Sequence, residues 1–595
     1  MFPHAPIPGS CLFTQVWRAK NVCSTGKPHA GLRYNFAPHC IKTRPVHSKN
    51  STADPCADVD VSCKSKINSA AFSARIMVGH GHPRIYREDA YFLDIAQRKK
   101  DKPTMHTPWK KTAIRNFTGG LALALIVIAS GQIASATDKP AVNDPITEGE
   151  WGAPFDIGIT AIHSTLLQSG KVLVWESTNG PSGGSHAVLW DPSGTLTDVS
   201  VPYDRDIFCG GQVHMADGRL MVIGGVVWQH AGSQVGVVET DFFDATTETW
   251  SPGPNMSEKR WYPGAIECAD GKILAIGGWE DTKTMSTTME LYDPATNAFT
   301  TLPQTADKNV WIYPRTVLLK NGKVFMAGQN QDTNTLDFNT NTWSFTGNFN
   351  YGKRFIGMTV LLPGLSQVMA IGGGVDVDEL ATETAEIIDF SQPTPSWSYT
   401  TSMEYPRVHA NAVLLPDGKV LVVGGCHRRL AEEPVAPAEL FDPVSQTWTE
   451  MAELQALKAH HSTALLLPDG RVWSAGGDQR VPLQTYAQIY SPPYLFKGAR
   501  PIISRVPQTI AYRQSFSITT ADAANITRVA LIKLGATTHD ENFDQRYVDL
   551  AFQKKDGRLK ANSPGDGKQA PPGYYMLFIV NGDGVPSVAS MVQLQ

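Results

Sequence analysis

Five of six positions in one register carry side chains that could hold a metal. Counting back seven residues from the first residue of each Pro-Asp-Gly-like turn gives Cys209, Tyr262, Tyr313, Ile356, His409 and His461, and His460 immediately precedes the last. A buried His or Tyr more often only satisfies hydrogen bonds. A thiol, two phenols and imidazoles falling at equivalent points of successive repeats point instead to a metal-binding site.

The repeat that positions them is an all-β unit. An apolar run reaches a turn, a second run ends in Gly-Gly, and a third strand leads through an Asp-containing turn to Trp or Phe. ADGRLMVIGG, ADGKILAIGG, PDGKVLVVGG and PDGRVWSAGG, beginning at residues 216, 269, 416 and 468, are the clearest copies. Weaker ones begin at 168, 320 and 363, so the spacing runs from 43 to 53 residues. Seven copies near the kelch period of about 50 predict a seven-bladed kelch-type β-propeller over 150–499. One blade cannot bury both its faces, and a closed ring of blades solves that while protecting the edges. The first strand of each blade lines the channel and rises roughly 3.3 Å per residue, so the register positions are expected near its far end, as a ring at one mouth. From Pro501 the repeat gives way to alternating strands such as SFSITT, RVALIKL and YYMLFIVN, which predict an immunoglobulin-like β-sandwich over 500–595.

Bulk composition bounds the partners. A chain of 595 residues with 42% hydrophobic and 18% charged residues is long enough for more than one folding unit. Its formal charge of -4 argues against nucleic acid. Residues 1–104 hold five of the eight cysteines, Cys11, Cys23, Cys40, Cys56 and Cys63, without a sustained period. A second start follows at Met105: Lys110, Lys111 and Arg115, an apolar run from Gly119 to Ile128, then Ala134-Ser135-Ala136. That is the layout of a signal peptide over 105–136, too short in its apolar run for a membrane span. The expectation is a protein that is secreted, periplasmic or on the cell surface, with no span after cleavage. Residues 1–104 are then a mis-started or disordered extension. Cys209, Cys268 and Cys426 remain, an odd count that leaves one thiol for other chemistry.

IFCGG around Cys209, RWYPGA around Tyr262, HHSTALLLPDGRV around His461 and ATTHDENFDQRYVDL around His539 resemble four segments of the copper radical oxidases, the galactose oxidase and glyoxal oxidase family. The resemblance covers roughly 150–595. It implies copper bound by Tyr262, His461 and His539, and a thioether cross-link between Cys209 and Tyr262 that serves as a built-in radical cofactor. The loop bearing His539 would rise along the channel to the metal. The family's axial tyrosine, which takes the proton of the substrate hydroxyl, is replaced here by His460, which could be a third nitrogen ligand or a base. For the tryptophan that shields the radical, Trp279 is nearest in sequence, and Trp261 and Trp311 are the other candidates.

The activity so implied is oxidation of a primary alcohol or aldehyde by O2 with release of hydrogen peroxide, by a monomer. The substrate would be a small alcohol, aldehyde or carbohydrate, and RWYP leans towards the glyoxal oxidase branch. The alternative is a non-catalytic kelch propeller that binds cell-surface or extracellular glycan. Cys209, Tyr262 and the two histidines favour the oxidase, and His460 favours the alternative.

Overall fold

The structure is a computed structural model that describes residues 144–178, 183–228, 234–375, 380–428, 432–477 and 484–595, all within one compact unit. The extension and the signal peptide expected over 1–136 lie outside the described residues.

Among the described residues, seven antiparallel sheets of four to six strands follow one another along the chain. Their first strands are His163–Leu166, Gly211–His214, Gly264–Glu267, Thr316–Leu318, Met358–Leu361, Val408–Leu414 and Ser462–Leu466. Most are buried along their whole length, which suits strands covered on both faces. The Gly264–Glu267 strand packs against both Gly211–His214 and Thr316–Leu318. Val408–Leu414 packs against both Met358–Leu361 and Ser462–Leu466, and the latter also meets His163–Leu166, so the last sheet adjoins the first.

The two ends of this array are tied together. Glu150 and Trp151 pair with Ser491 and Tyr490 on the outer strand of the seventh sheet, and Trp151 Nε1 donates to Ala452 O at 2.8 Å. Residues from 500 onward form a five-stranded and a three-stranded sheet, with Ile526–Lys533 and Gly573–Asn581 central in the larger. One long excursion leaves this region. Ala536–Thr538 pairs antiparallel with His163–Leu166, placing Thr538 opposite His163, and turns back through Glu541–Asn542. The first sheet thereby takes up two strands from the far end of the chain.

Candidate metal centre

The six register positions share a backbone conformation that alternation alone did not predict. Cys209, Tyr262, Tyr313, Ile356, His409 and His461 all have φ between 41° and 61°. They were expected on extended strand, but five of them sit just before the first strand of their sheet, and His409, on its strand, is left-handed too. A left-handed residue interrupts the pleat, so its side chain is not bound to the in-and-out alternation of the strand that follows. Such a backbone costs about 1–2 kcal/mol per non-glycine residue and must be held by its surroundings.

Hydrogen bonds and buried ion pairs hold it. The Tyr262 amide donates to Cys209 O at 2.9 Å, Tyr313 to Tyr262 O at 2.9 Å, and His409 to Ile356 O at 3.2 Å, which links neighbouring positions. Two residues ahead of Tyr262, Ile356 and His409 stand Arg260, Arg354 and Arg407. Each pairs at 2.7 Å with a buried glutamate of its own sheet, Glu290, Glu386 and Glu439. Each also donates through Nη1, at 2.8 Å, to the first carbonyl of that sheet's Gly-Gly. The sequence reading missed this device, although R-x-[Y/I/H] ahead of three of the Gly-Gly runs was there to be seen.

His539 reaches the same place from the other direction. It and Asp540 are the two residues between Thr538 and Glu541, with φ of 47° and 62°. Positive φ at both central residues is the signature of a tight I′ hairpin turn, which ordinarily takes Asn-Gly. Arg315 stabilises this one: Nη2 contacts Asp540 at 2.7 Å and His539 O at 3.3 Å, and Nη1 lies 3.1 Å from Glu541. Burial pushes Asp540 up to about 7 and Glu541 up to about 8, against the pull of the Arg315 guanidinium.

The side chains converge. The ligand atoms of Cys209, His461 and His539 all lie within 4.8 Å of one another, with Cys209 Sγ 3.6 Å from His539 Nε2. The Tyr262 ring stands edge-on to His539, centroids 5.4 Å apart at 88°. His461 and His539 are 4.3 Å apart at 79°. Burial holds His539 well below the usual histidine range, and the neighbouring imidazoles add to it, which keeps the ring neutral. Tyr313 lies against His539 at 4.9 Å, and its hydroxyl donates to Gly210 O at 3.2 Å. His460 stacks on His461 and meets His409 edge-on, at 3.7 and 4.7 Å.

Of the tryptophans singled out, Trp261 lies on the Tyr262 ring, 4.5 Å between centroids and tilted by 36°. Trp279 pairs with Trp261 through both backbone groups, at 2.8 and 2.6 Å, and its ring meets Trp311 at 5.8 Å. Beside the centre is a cavity of about 50 Å³. Tyr262, Tyr313, His409, His460 and His539 line it together with Ile312, Phe355 and Ile356.

Two further residues at the centre lay outside the register. His163 Nε2 accepts the Cys209 amide at 3.0 Å, and Thr538 Oγ1 lies 2.6 Å from His539 Nδ1. His163 lies in no quoted motif and Thr538 only beside His539 in one, and the pairing of their strands brings them together.

This arrangement has known counterparts. Residues 171–492 match the family described as glyoxal oxidase N-terminus, and residues 500–594 match the galactose oxidase-like early set domain. Galactose oxidase of Gibberella zeae is 31% identical over 501 residues, covering 75% of this chain and 70% of that one. The aldehyde oxidase GLOX of Vitis pseudoreticulata is 27% identical over 519 residues, covering 73% and 95%. A solved fungal alcohol oxidase of the AA5 family, in complex with copper, superposes with a TM-score of 0.67 at 27% identity, covering 76% of this chain and all of that one. With a family match spanning more than half its length and a site built from the expected segments, the chain belongs to the galactose oxidase and glyoxal oxidase family of oxidoreductases.

Proposed function

We propose that the chain is a secreted copper radical oxidase that converts a primary alcohol to an aldehyde, or an aldehyde hydrate to an acid, while reducing O2 to hydrogen peroxide. The observation that carries this reading is the convergence of Cys209, His461 and His539 within 4.8 Å, with Tyr262 edge-on to His539. Two imidazoles with a phenolate suit Cu(II) in a tetragonal field, so the residues fit the metal the family uses. Tyr262, His461 and His539 would hold it. Copper bound there supplies one-electron chemistry and a Lewis acid, and a Cys209–Tyr262 thioether supplies the second redox equivalent.

The chain's own residues do the rest. His460, partly buried at the edge of the cavity, takes the substrate hydroxyl proton in place of the family's tyrosine. Trp261, tilted over Tyr262, shields the phenol from solvent. Trp279 supports Trp261 through the paired backbone. A cavity of about 50 Å³ has room for roughly four water-sized groups. It therefore suits a small aldehyde hydrate or the reacting end of a longer alcohol or carbohydrate.

The same reading covers the chain's organisation. The seven sheets over 150–499 are the blades of a kelch-type propeller, and the two sheets over 500–595 form an immunoglobulin-like domain. Residues 105–136 are the signal peptide that exports it, and residues 1–104 are not part of the mature protein.

Peptide mass spectrometry on protein expressed from Met105, before and after exposure to copper and air, tests the proposal. A linked Cys209–Tyr262 peptide lacking two hydrogens, with peroxide formed from alcohols or aldehydes, is the expected result. Unlinked peptides in copper-loaded protein would remove the radical mechanism.

A further inference from the structure

Cys209 and His539 are 330 positions apart in sequence, yet their sulfur and Nε2 lie 3.6 Å apart. One short strand stands between their anchors. We propose that His163–Leu166 and the residue before it act as a jig for the metal centre, with Thr538 and His163 as its positioning residues. Thr538 selects which ring nitrogen of His539 faces the metal, and His163 fixes the Cys209 backbone so that its sulfur meets that nitrogen. The inference rests on the copper reading above and extends it to side chains outside the set of ligands.

The Thr538 argument is a count of hydrogens. A hydroxyl carries one. Thr538 Oγ1 donates it to Ile162 O at 2.8 Å, so towards His539 Nδ1, 2.6 Å away, it can only accept. Nδ1 therefore bears the proton of the neutral imidazole, and Nε2 keeps its lone pair. Nε2 is the atom that faces Cys209 Sγ. The hairpin thus delivers His539 with its basic nitrogen already aimed into the cluster.

His163 is set in the same tautomer. Its Nε2 accepts the Cys209 amide hydrogen, so its Nδ1 carries the proton and donates to Gln212 Oε1 at 2.9 Å. The amide nitrogen of Gln212 donates to Ser164 O at 3.2 Å and Thr537 O at 3.0 Å, which defines how that amide is turned. The imidazole lies flat on Trp175, centroids 4.6 Å apart and planes within 10°. Cys209 has φ of 56°, and this contact is what holds its amide in that conformation. His163 and Ser164 also pair with Thr538 and Thr537, so one stretch of backbone locates both the cysteine and the hairpin. Partners of this kind, hydrogen-bonded to a ligating histidine, commonly change metal affinity by about 10–100-fold when removed.

The test uses protein from Met105 with copper(II) sulfate alone as the probe. Cu(II) affinity is measured by competition with nitrilotriacetate, the Cu(II) EPR spectrum is recorded, and apo-protein melting is the control for folding. Thr538→Val keeps the shape and deletes the acceptor. It is expected to weaken Cu(II) binding about 10–100-fold with an altered spectrum, and Thr538→Ser is expected to restore both. His163→Ala is expected to alter the spectrum and to slow appearance of the linked peptide. Wild type that binds Cu(II) tightly beside a Thr538→Val variant of equal affinity and spectrum overturns the jig alone. Wild type that binds no Cu(II) overturns the copper reading and the jig with it. Should Thr538→Val not fold, ¹⁵N NMR of histidine-labelled apo wild type decides: Nδ1 of His539 protonated supports the proposal, and Nε2 protonated overturns it.

Discussion

The imidazole of His460 lies against that of His461, ring centroids 3.7 Å apart and planes inclined by 32°. A ring laid against a ligand at that tilt presents its own plane beside the ligand ring. That agrees with the three residues whose ligand atoms cluster, Cys209, His461 and His539, a set without His460. His460 instead lines the small cavity beside Tyr262, His409 and His539. The proposed role as a base next to substrate places its proton acceptor at this cavity.

His460→Ala is therefore expected to lower kcat by about 10²–10⁴-fold while leaving Cu(II) affinity within a few-fold of wild type. Steady-state peroxide assays with a parallel copper titration separate the roles. Loss of affinity in step with activity would assign His460 as a ligand.

Cys209→Ser removes one side of the proposed thioether. The two-hydrogen mass deficit should disappear and substrate-dependent peroxide should be lost. Cys209 is fully buried, so the melting temperature should fall, by a few degrees for each kcal/mol lost. Peptide mass spectrometry and calorimetry on one preparation read all three.

Arg315→Met leaves Asp540 and Glu541 buried without their cation. Breaking a buried pair by removing one partner costs about 3–5 kcal/mol. Because the same guanidinium holds the turn at His539, copper affinity should fall along with stability in urea unfolding. Arg315→Lys should recover only part of each, since an ammonium cannot reproduce the fork that reaches Asp540, Glu541 and the His539 carbonyl together.

Glu267 is buried against Lys533, and burial pushes its carboxyl up to about 7. The unfolded chain releases that proton near pH 4.5, so between there and about pH 7 the folded state holds more protons and loses stability as pH rises. Glu267→Gln lacks this slope. Its stability relative to wild type should improve across that window, at up to about 1.4 kcal/mol per pH unit, and level off above it. Urea unfolding of the apo proteins at several pH values checks the sign.

Much of the centre could be read from spacing alone, because a repeat supplies its own alignment. Seven residues before each turn, the sequence placed Cys209, Tyr262 and His461 at equivalent points, and the resemblance of a segment beyond the repeat supplied His539. For the first three, side-chain identity and period were sufficient, since neither depends on distant contacts. The left-handed backbone at all six register positions was not legible, because Cys, Tyr and Ile rarely adopt it; buried pairs such as Arg407 with Glu439 accompany it. Nor could the roles of His163 and Thr538 be read. They follow from the pairing of His163 with Thr538, 375 residues downstream, and from a hydroxyl whose one hydrogen goes to Ile162 O. Which residues can do the chemistry is a local property of the chain, and which of their atoms face one another was decided only when its two ends met in one sheet.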